Sequence, residues 1–161
     1  ETALRALVGE LTIEQHWQAV GEALGVPPEA LPAVKAQFWS SDLVNHELVE
    51  YIRTLHPKYK VGLLSNAWND LRQVMQERFH FDGLFDDLVI SAEVGLAKPD
   101  PRIFELAVTR LGVQPAEAVF VDDVLANVEA AQGIGLQAIH YQNNPQLFNA
   151  LARLNVSMLE R

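Results

Sequence analysis

From Lys60 onward the chain alternates apolar runs of five residues or fewer with longer stretches of helical spacing. The runs are Val61-Gly-Leu-Leu64, Leu88-Val-Ile90, Ala118-Val-Phe-Val121 and Gln137-Ala-Ile-His-Tyr141. They lack the polar alternation of a half-exposed strand, which suits strands buried on both faces. The helical stretches lie near 67–79, 101–111, 124–133 and 145–154. Strands separated by helices close right-handed βαβ units, so the pattern predicts an α/β fold with a Rossmann-like three-layer α/β/α parallel sheet.

The first 56 residues contain no such strand. Their apolar residues recur at helical spacing: Leu11, Trp17, Val20 and Leu24, then Leu31, Val34, Phe38 and Trp39, then Leu43, Leu48, Ile52 and Leu55. Three helices are expected there, after a short helical turn. Thr12-Ile-Glu-Gln15 reads as a capping box, and Gly25 through Pro28 ends that helix and starts the next.

Composition excludes several classes of function. The 161 residues carry 12 basic and 21 acidic side chains, a net charge of −9, and the basic residues do not cluster. Such a surface repels phosphate backbones, so no nucleic-acid role is expected. No apolar run approaches the length of a membrane span and no leader opens the chain, so no membrane role is expected either. Absence of cysteine removes disulfides, thiolate nucleophiles and every cysteine-containing zinc site, and suits a cytoplasmic protein. The five histidines lack metal-ligand spacing. Gly133-Ile-Gly-Leu-Gln-Ala138 fits a dinucleotide pattern but follows a helix and precedes a strand, the reverse of the required order.

In a parallel α/β sheet, ligands bind beyond the carboxyl ends of the strands. Four groups fall there. Ser65-Asn66 follows the first strand, Lys98-Pro99-Asp100-Pro101 opens a helix before the third, and Asp122-Asp123 ends the third, with Asn127 one helical turn on. Each has an ordinary reading alone: Ser, Asn and Asp cap helices, and a loop lysine is usually solvated. Together, a hydroxyl, an ammonium and two carboxylates make a phosphate site, with donors for the oxygens and acids for a hard cation such as Mg²⁺.

These segments resemble the haloacid dehalogenase superfamily. Val61-Gly-Leu-Leu-Ser65-Asn66, Val94-Gly-Leu-Ala-Lys98-Pro99-Asp100-Pro101-Arg102-Ile-Phe104 and Val119-Phe-Val-Asp122-Asp123-Val-Leu-Ala-Asn127-Val look like its second, third and fourth motifs, in order. Separations of 33 residues from Ser65 to Lys98 and 24 from Lys98 to Asp122 fit as well. The resemblance covers about residues 43–154. Residues 1–42 look like part of an α-helical cap, giving a division into an incomplete cap, 1–42, and a core, 43–161. The phrase Asp-Asp-x-x-x-Asn is most similar to phosphatase-type members, including the amino-terminal phosphatase domain of soluble epoxide hydrolases.

The resemblance implies a Mg²⁺-dependent phosphatase acting on a small phosphorylated metabolite. Ser65 would hydrogen-bond a phosphoryl oxygen, Asn66 would orient the loop or the substrate, and Lys98 would neutralise nucleophile and phosphoryl group. Asp123 would coordinate Mg²⁺ with Asp122 in support, and Asn127 would brace the loop. Trp68, on the loop after Ser65, is a candidate substrate contact, whereas Trp17 and Trp39 read as cap core. Family chemistry is in-line attack by an aspartate to form an aspartyl-phosphate, then hydrolysis assisted by a second aspartate. Both lie on a first strand, in an Asp-x-Asp phrase, and no such strand precedes the helices here. The chain also opens on Glu1 rather than Met. The expectation is therefore a gene product longer by a few tens of residues, with the chain as given not forming the covalent intermediate and lacking the strand between those of Ser65 and Asp122. A dehalogenase of the superfamily tends to carry Ser-Ser-Asn in place of Asp122-Asp123-Val124. A phosphomutase shares all three motifs, and a non-catalytic binding protein that has lost its nucleophile is the reading from another class.

Overall fold

A computed structural model describes residues 2–40, 43–56 and 58–156. The division expected between residues 42 and 43 touches residue 42, outside the described residues. Helix α1 (Thr2–Leu7) leads through Gly9 into α2 (Ile13–Leu24). The capping box forms: Thr12 Oγ1 accepts from the Gln15 amide at 3.2 Å, and Gln15 Oε1 accepts from the Thr12 amide at 2.9 Å. Gly25, at φ 63°, ends α2 in the left-handed region where a Cβ is disfavoured. A 3₁₀ turn (Pro28–Ala30) starts α3 (Leu31–Trp39), and Asn45 caps α4 (His46–Leu55) by accepting from the Leu48 amide at 3.1 Å. There follow β1 (Gly62–Ser65), α5 (Leu71–Glu77), β2 (Asp87–Ile90), α6 (Ser91–Val94) and α7 (Pro101–Leu111). A 3₁₀ turn (Pro115–Glu117) then leads to β3 (Val119–Asp122), α8 (Leu125–Gly133), β4 (Gln137–His140) and α9 (Asn144–Arg153).

All strand pairing is parallel, as the strand–helix alternation requires. β1 pairs with β2 from Gly62 opposite Asp87 to Ser65 opposite Ile90, and β3 pairs with β4 from Val119 opposite Gln137 to Asp122 opposite His140. Among the described residues these are two separate ladders, with no strand hydrogen-bonded to both. Alternation along β3 and β4 sends successive side chains to opposite faces. Phe120 and Ala138 join a cluster built on Val89, Ile103, Phe104, Val108, Ala131 and Leu136, beneath α7 and α8. Val119 and Ile139 join Tyr51, Leu147 and Leu151, beneath α4 and α9. Three layers result. Leu64 of β1 packs on the first cluster too, so α7 covers both ladders.

Boundaries differ from expectation where side chains compete for backbone groups. The helix expected over 67–79 is only Leu71–Glu77, because the preceding loop finds its partners elsewhere. Ser91 Oγ takes the Ala67 amide at 3.0 Å and lies 3.1 Å from its carbonyl, while Asn69 Oδ1 accepts from the Ile13 amide at 3.3 Å. The third strand runs one residue later than expected, which puts Asp122 on the strand itself. Asp82, Asp86 and Asp87 read as solvated loop residues, which Asp82 and Asp86 are, both exposed before β2, and Asp87 is not. Asp86 Oδ2 accepts from the Val61 amide at 2.7 Å, and Asp87 opens β2 with Oδ2 buried and unpaired among the described residues. The short α6 carries no signal in its four residues.

Candidate active site

Parallel strands place Ser65 and Asp122 at the carboxyl ends of β1 and β3, and Lys98 arrives from the loop before α7. Its Nζ donates to Asp122 Oδ2 at 2.6 Å and to the Leu64 carbonyl at 2.9 Å, and lies 5.5 Å from the centre of the Phe120 ring. One ammonium thus joins the end of one ladder to the end of the other. The Lys98 and Asp122 side chains are 10% and 5% exposed, so neither charge is stable there without the other. Asn66 fixes the lysine's backbone: its Nδ2 donates to the Lys98 carbonyl at 2.8 Å and its Oδ1 accepts from the Lys98 amide at 2.8 Å. This pair uses Asn66's amide to orient the loop.

The other carboxylate oxygen of Asp122 is also engaged. Oδ1 accepts from the Val124 amide at 2.8 Å and from Asn127 Nδ2 at 3.0 Å, with Asn127 buried on the first turn of α8. Burial pushes the Asp122 carboxyl up, but hydrogen bonds from Lys98, Val124 and Asn127 outweigh it and hold the group below the ordinary carboxylate value. Asp122 therefore stays charged and shapes the turn into α8.

Asp123 is exposed, and its carboxylate meets no hydrogen-bond donor among the described residues. Its backbone is fixed: His140 Nε2 donates to the Asp123 carbonyl at 2.9 Å, which assigns the proton to Nε2. Ser65 ends β1 half-buried, with its hydroxyl uncommitted to any described residue. For a hard cation the fit is of the right chemistry but incomplete. One free carboxylate stands beside a second that is already neutralised, and no group of three or more His, Asp or Glu is gathered among the described residues.

Trp68 lies in a wall of rings. Its ring centre is 5.0 Å from His16, 6.1 Å from Trp17, 6.3 Å from Phe38 and 5.5 Å from Trp39. Trp17 is buried among the helices, as its apolar stripe suggests, and burial pushes the His16 imidazole down. Trp39 instead borders a cavity of about 300 Å³ that also reaches Asn66, Trp68, Asp70 and Phe79. Sequence reasoning missed the cavity, since its walls come from three separate segments, at Leu7, residues 38–39 and residues 66–79. It also missed the Leu64 carbonyl as a partner of Lys98, because a backbone acceptor leaves no trace in residue type.

The chain is similar to known proteins in sequence and in fold. A family model described as haloacid dehalogenase-like hydrolase matches residues 4–135. Bifunctional epoxide hydrolase 2 of Sus scrofa is 30% identical over 154 residues, 84% of this chain and 27% of that protein. The chain spans little more than a quarter of that relative's length. D-ribitol-5-phosphate phosphatase of Bacteroides thetaiotaomicron is 26% identical over 141 residues, 84% of this chain and 68% of that protein. The solved magnesium complex of a HAD family enzyme from the same organism superposes with a TM-score of 0.76 at 26% identity, covering 88% of this chain and 74% of that one.

Proposed function

The chain belongs to the haloacid dehalogenase-like hydrolases, and on that footing we propose that the whole protein is a Mg²⁺-dependent phosphatase of small phosphate esters. The observation that carries the reading is the Lys98 ammonium, held at the strand ends by Asp122, the Leu64 carbonyl and the Asn66 clamp. A cation fixed in a site of low exposure stabilises charge that develops on a transferring phosphoryl group, at no cost of reorganisation during reaction. Ser65, with its hydroxyl uncommitted, is placed to donate to a phosphoryl oxygen. Asp123 offers the free carboxylate that would hold Mg²⁺, with Asp122 and Asn127 fixing the turn that presents it. Bound Mg²⁺ would supply charge neutralisation and orientation of the phosphate. In this reading the nucleophile would be an aspartate of the family's Asp-x-Asp phrase, which none of the described strands carries. The relative named for ribitol phosphate supports a small phosphorylated substrate, and a metabolite of that kind is the substrate class proposed.

The test is hydrolysis of 4-nitrophenyl phosphate and small sugar phosphates by the full-length protein. Activity is expected with Mg²⁺ and is expected to stop in EDTA. Lys98→Ala and Asp123→Ala should each lower turnover by about 10²-fold or more. Metal-independent turnover, unchanged in both variants, would overturn the assignment.

A further inference from the structure

The loop that carries Ser65 is gripped at both ends by one other stretch of chain, from Ser91 to Lys98. Lys98 Nζ donates to the Leu64 carbonyl at 2.9 Å, and the Lys98 backbone amide and carbonyl each pair with the Asn66 side chain at 2.8 Å. One residue further on, the Ala67 amide donates to Ser91 Oγ at 3.0 Å and Ser91 Oγ donates to the Ala67 carbonyl at 3.1 Å. The Ala92 amide donates to the same carbonyl at 3.3 Å. Ser65 sits between these anchors, opposite Ile90 in the ladder, with its hydroxyl uncommitted to any described residue. Both ends of the stretch reach one loop because α6 is a single turn closed by Gly95, at φ 69°, whose amide bonds to the Ser91 carbonyl at 2.9 Å.

Ser91 is 0% exposed, and a hydroxyl at such a position costs stability unless it is hydrogen-bonded. It is not spent on capping its own helix, where Ile90 holds the cap position. A hydroxyl both donates and accepts, and here both bonds go to Ala67. The Ala67 amide belongs to the peptide group that joins it to Asn66, so this bond sets the direction in which the chain leaves β1 after Ser65. We propose that Ser91 is a positioning residue for phosphate binding: through Ala67 it pins the turn that aims the Ser65 hydroxyl at a phosphoryl oxygen beside Lys98. Alanine at this position would fill much the same space but leave the Ala67 amide without its acceptor, so the turn would be anchored on the Lys98 side alone. The inference rests on the phosphatase reading for the group that Ser65 contacts.

Calorimetric titration of the full-length protein with inorganic phosphate in the presence of Mg²⁺ tests it, well below the unfolding temperature of each variant. Ser91→Ala is expected to bind phosphate about tenfold more weakly than wild type, the worth of one hydrogen bond. In a Ser65→Ala background the same substitution should change affinity by about twofold or less, because a residue that acts through Ser65 has nothing left to position. Hydrogen exchange followed by NMR should show the Ala67 amide losing protection in Ser91→Ala while the amides of β1 and β2 keep theirs. If Ser91→Ala does not fold, Ser91→Cys, close in size and with only a weak S–H donor, makes the same comparison with the same expected order. Unchanged phosphate affinity, an equal loss in the Ser65→Ala background, or lost protection along β1 and β2 would overturn the proposal and leave the phosphatase reading intact. Failure of the wild type to bind phosphate at all would overturn both.

Discussion

Lys98 and Asp122 form a pair whose energetics differ from those of the other ion pairs. Arg102–Asp100 is a surface contact, with the arginine side chain 68% exposed, even though hydrogen bonds from Arg102 hold the Asp100 carboxyl down at about 2. Lys98–Asp122 is nearly dry, and removing one partner leaves a buried charge. Lys98→Met should cost about 3–5 kcal/mol of stability in urea unfolding at pH 7. Asp123→Ala, at an exposed position, should leave the urea midpoint almost unmoved while removing activity. The pH dependence has a definite sign. A carboxyl held below its unfolded value contributes stability that is fully present above the ordinary carboxylate pKa of about 3.9, and loses it as pH falls through the folded value. The stability difference between wild type and Asp122→Asn should therefore be constant from pH 7 to 5 and shrink below pH 4, measured by denaturant titration across that range. At this scale the sequence showed which residues carry charge and hydroxyls, and it placed them at strand ends. It could not show that Asp122 spends both oxygens on Lys98, Val124 and Asn127 while Asp123 spends neither, because adjacent strand-end residues point in different directions.

Among the elements, those with strong local signals stood where the periodicity put them. α2 has its capping box, α7 its Asp100 cap followed by Pro101, and α9 its Asn143 cap. Such local devices satisfy backbone donors near in sequence, so they can be read without the fold. α5 is shorter than its periodicity suggests because Ser91 of α6 and the Ile13 amide at the start of α2 engage Ala67 and Asn69 in the loop before it. The contact between α1 and α6 had no signal at all. It depends on Gly9, at φ 75°, where an added Cβ would sit 2.3 Å from the Ala92 carbonyl oxygen. Gly9→Ala should lower stability by about 1–3 kcal/mol from backbone strain alone, with the clash added, in a thermal or urea melt. A melt equal to wild type would show that α1 does not dock on α6 in solution.

For the whole molecule, α7 is the strap that makes two ladders one body. Ile103 and Phe104 are fully buried on its inner face, packed in one cluster with Leu64 of β1, Val89 of β2 and Phe120 of β3. The Phe104 and Phe120 rings meet edge to face, with centres 5.1 Å apart. Phe104→Ala should cost about 3–5 kcal/mol and loosen both ladders together, so near-ultraviolet and far-ultraviolet circular dichroism should report one shared transition. Two separated transitions would mean that the ladders fold independently. Among the described residues no helix is long and apolar enough to cross a membrane. The sequence by itself determined the α/β class, the parallel pairing and the strand-end address of Ser65, Lys98 and Asp122, because hydrophobic period and motif spacing are local and survive without coordinates. Only the tertiary structure decided what those residues touch. The Lys98 bridge between ladders and the ring-walled cavity at Trp68 arise where segments distant in sequence meet, and that meeting is set by packing, which no local period encodes.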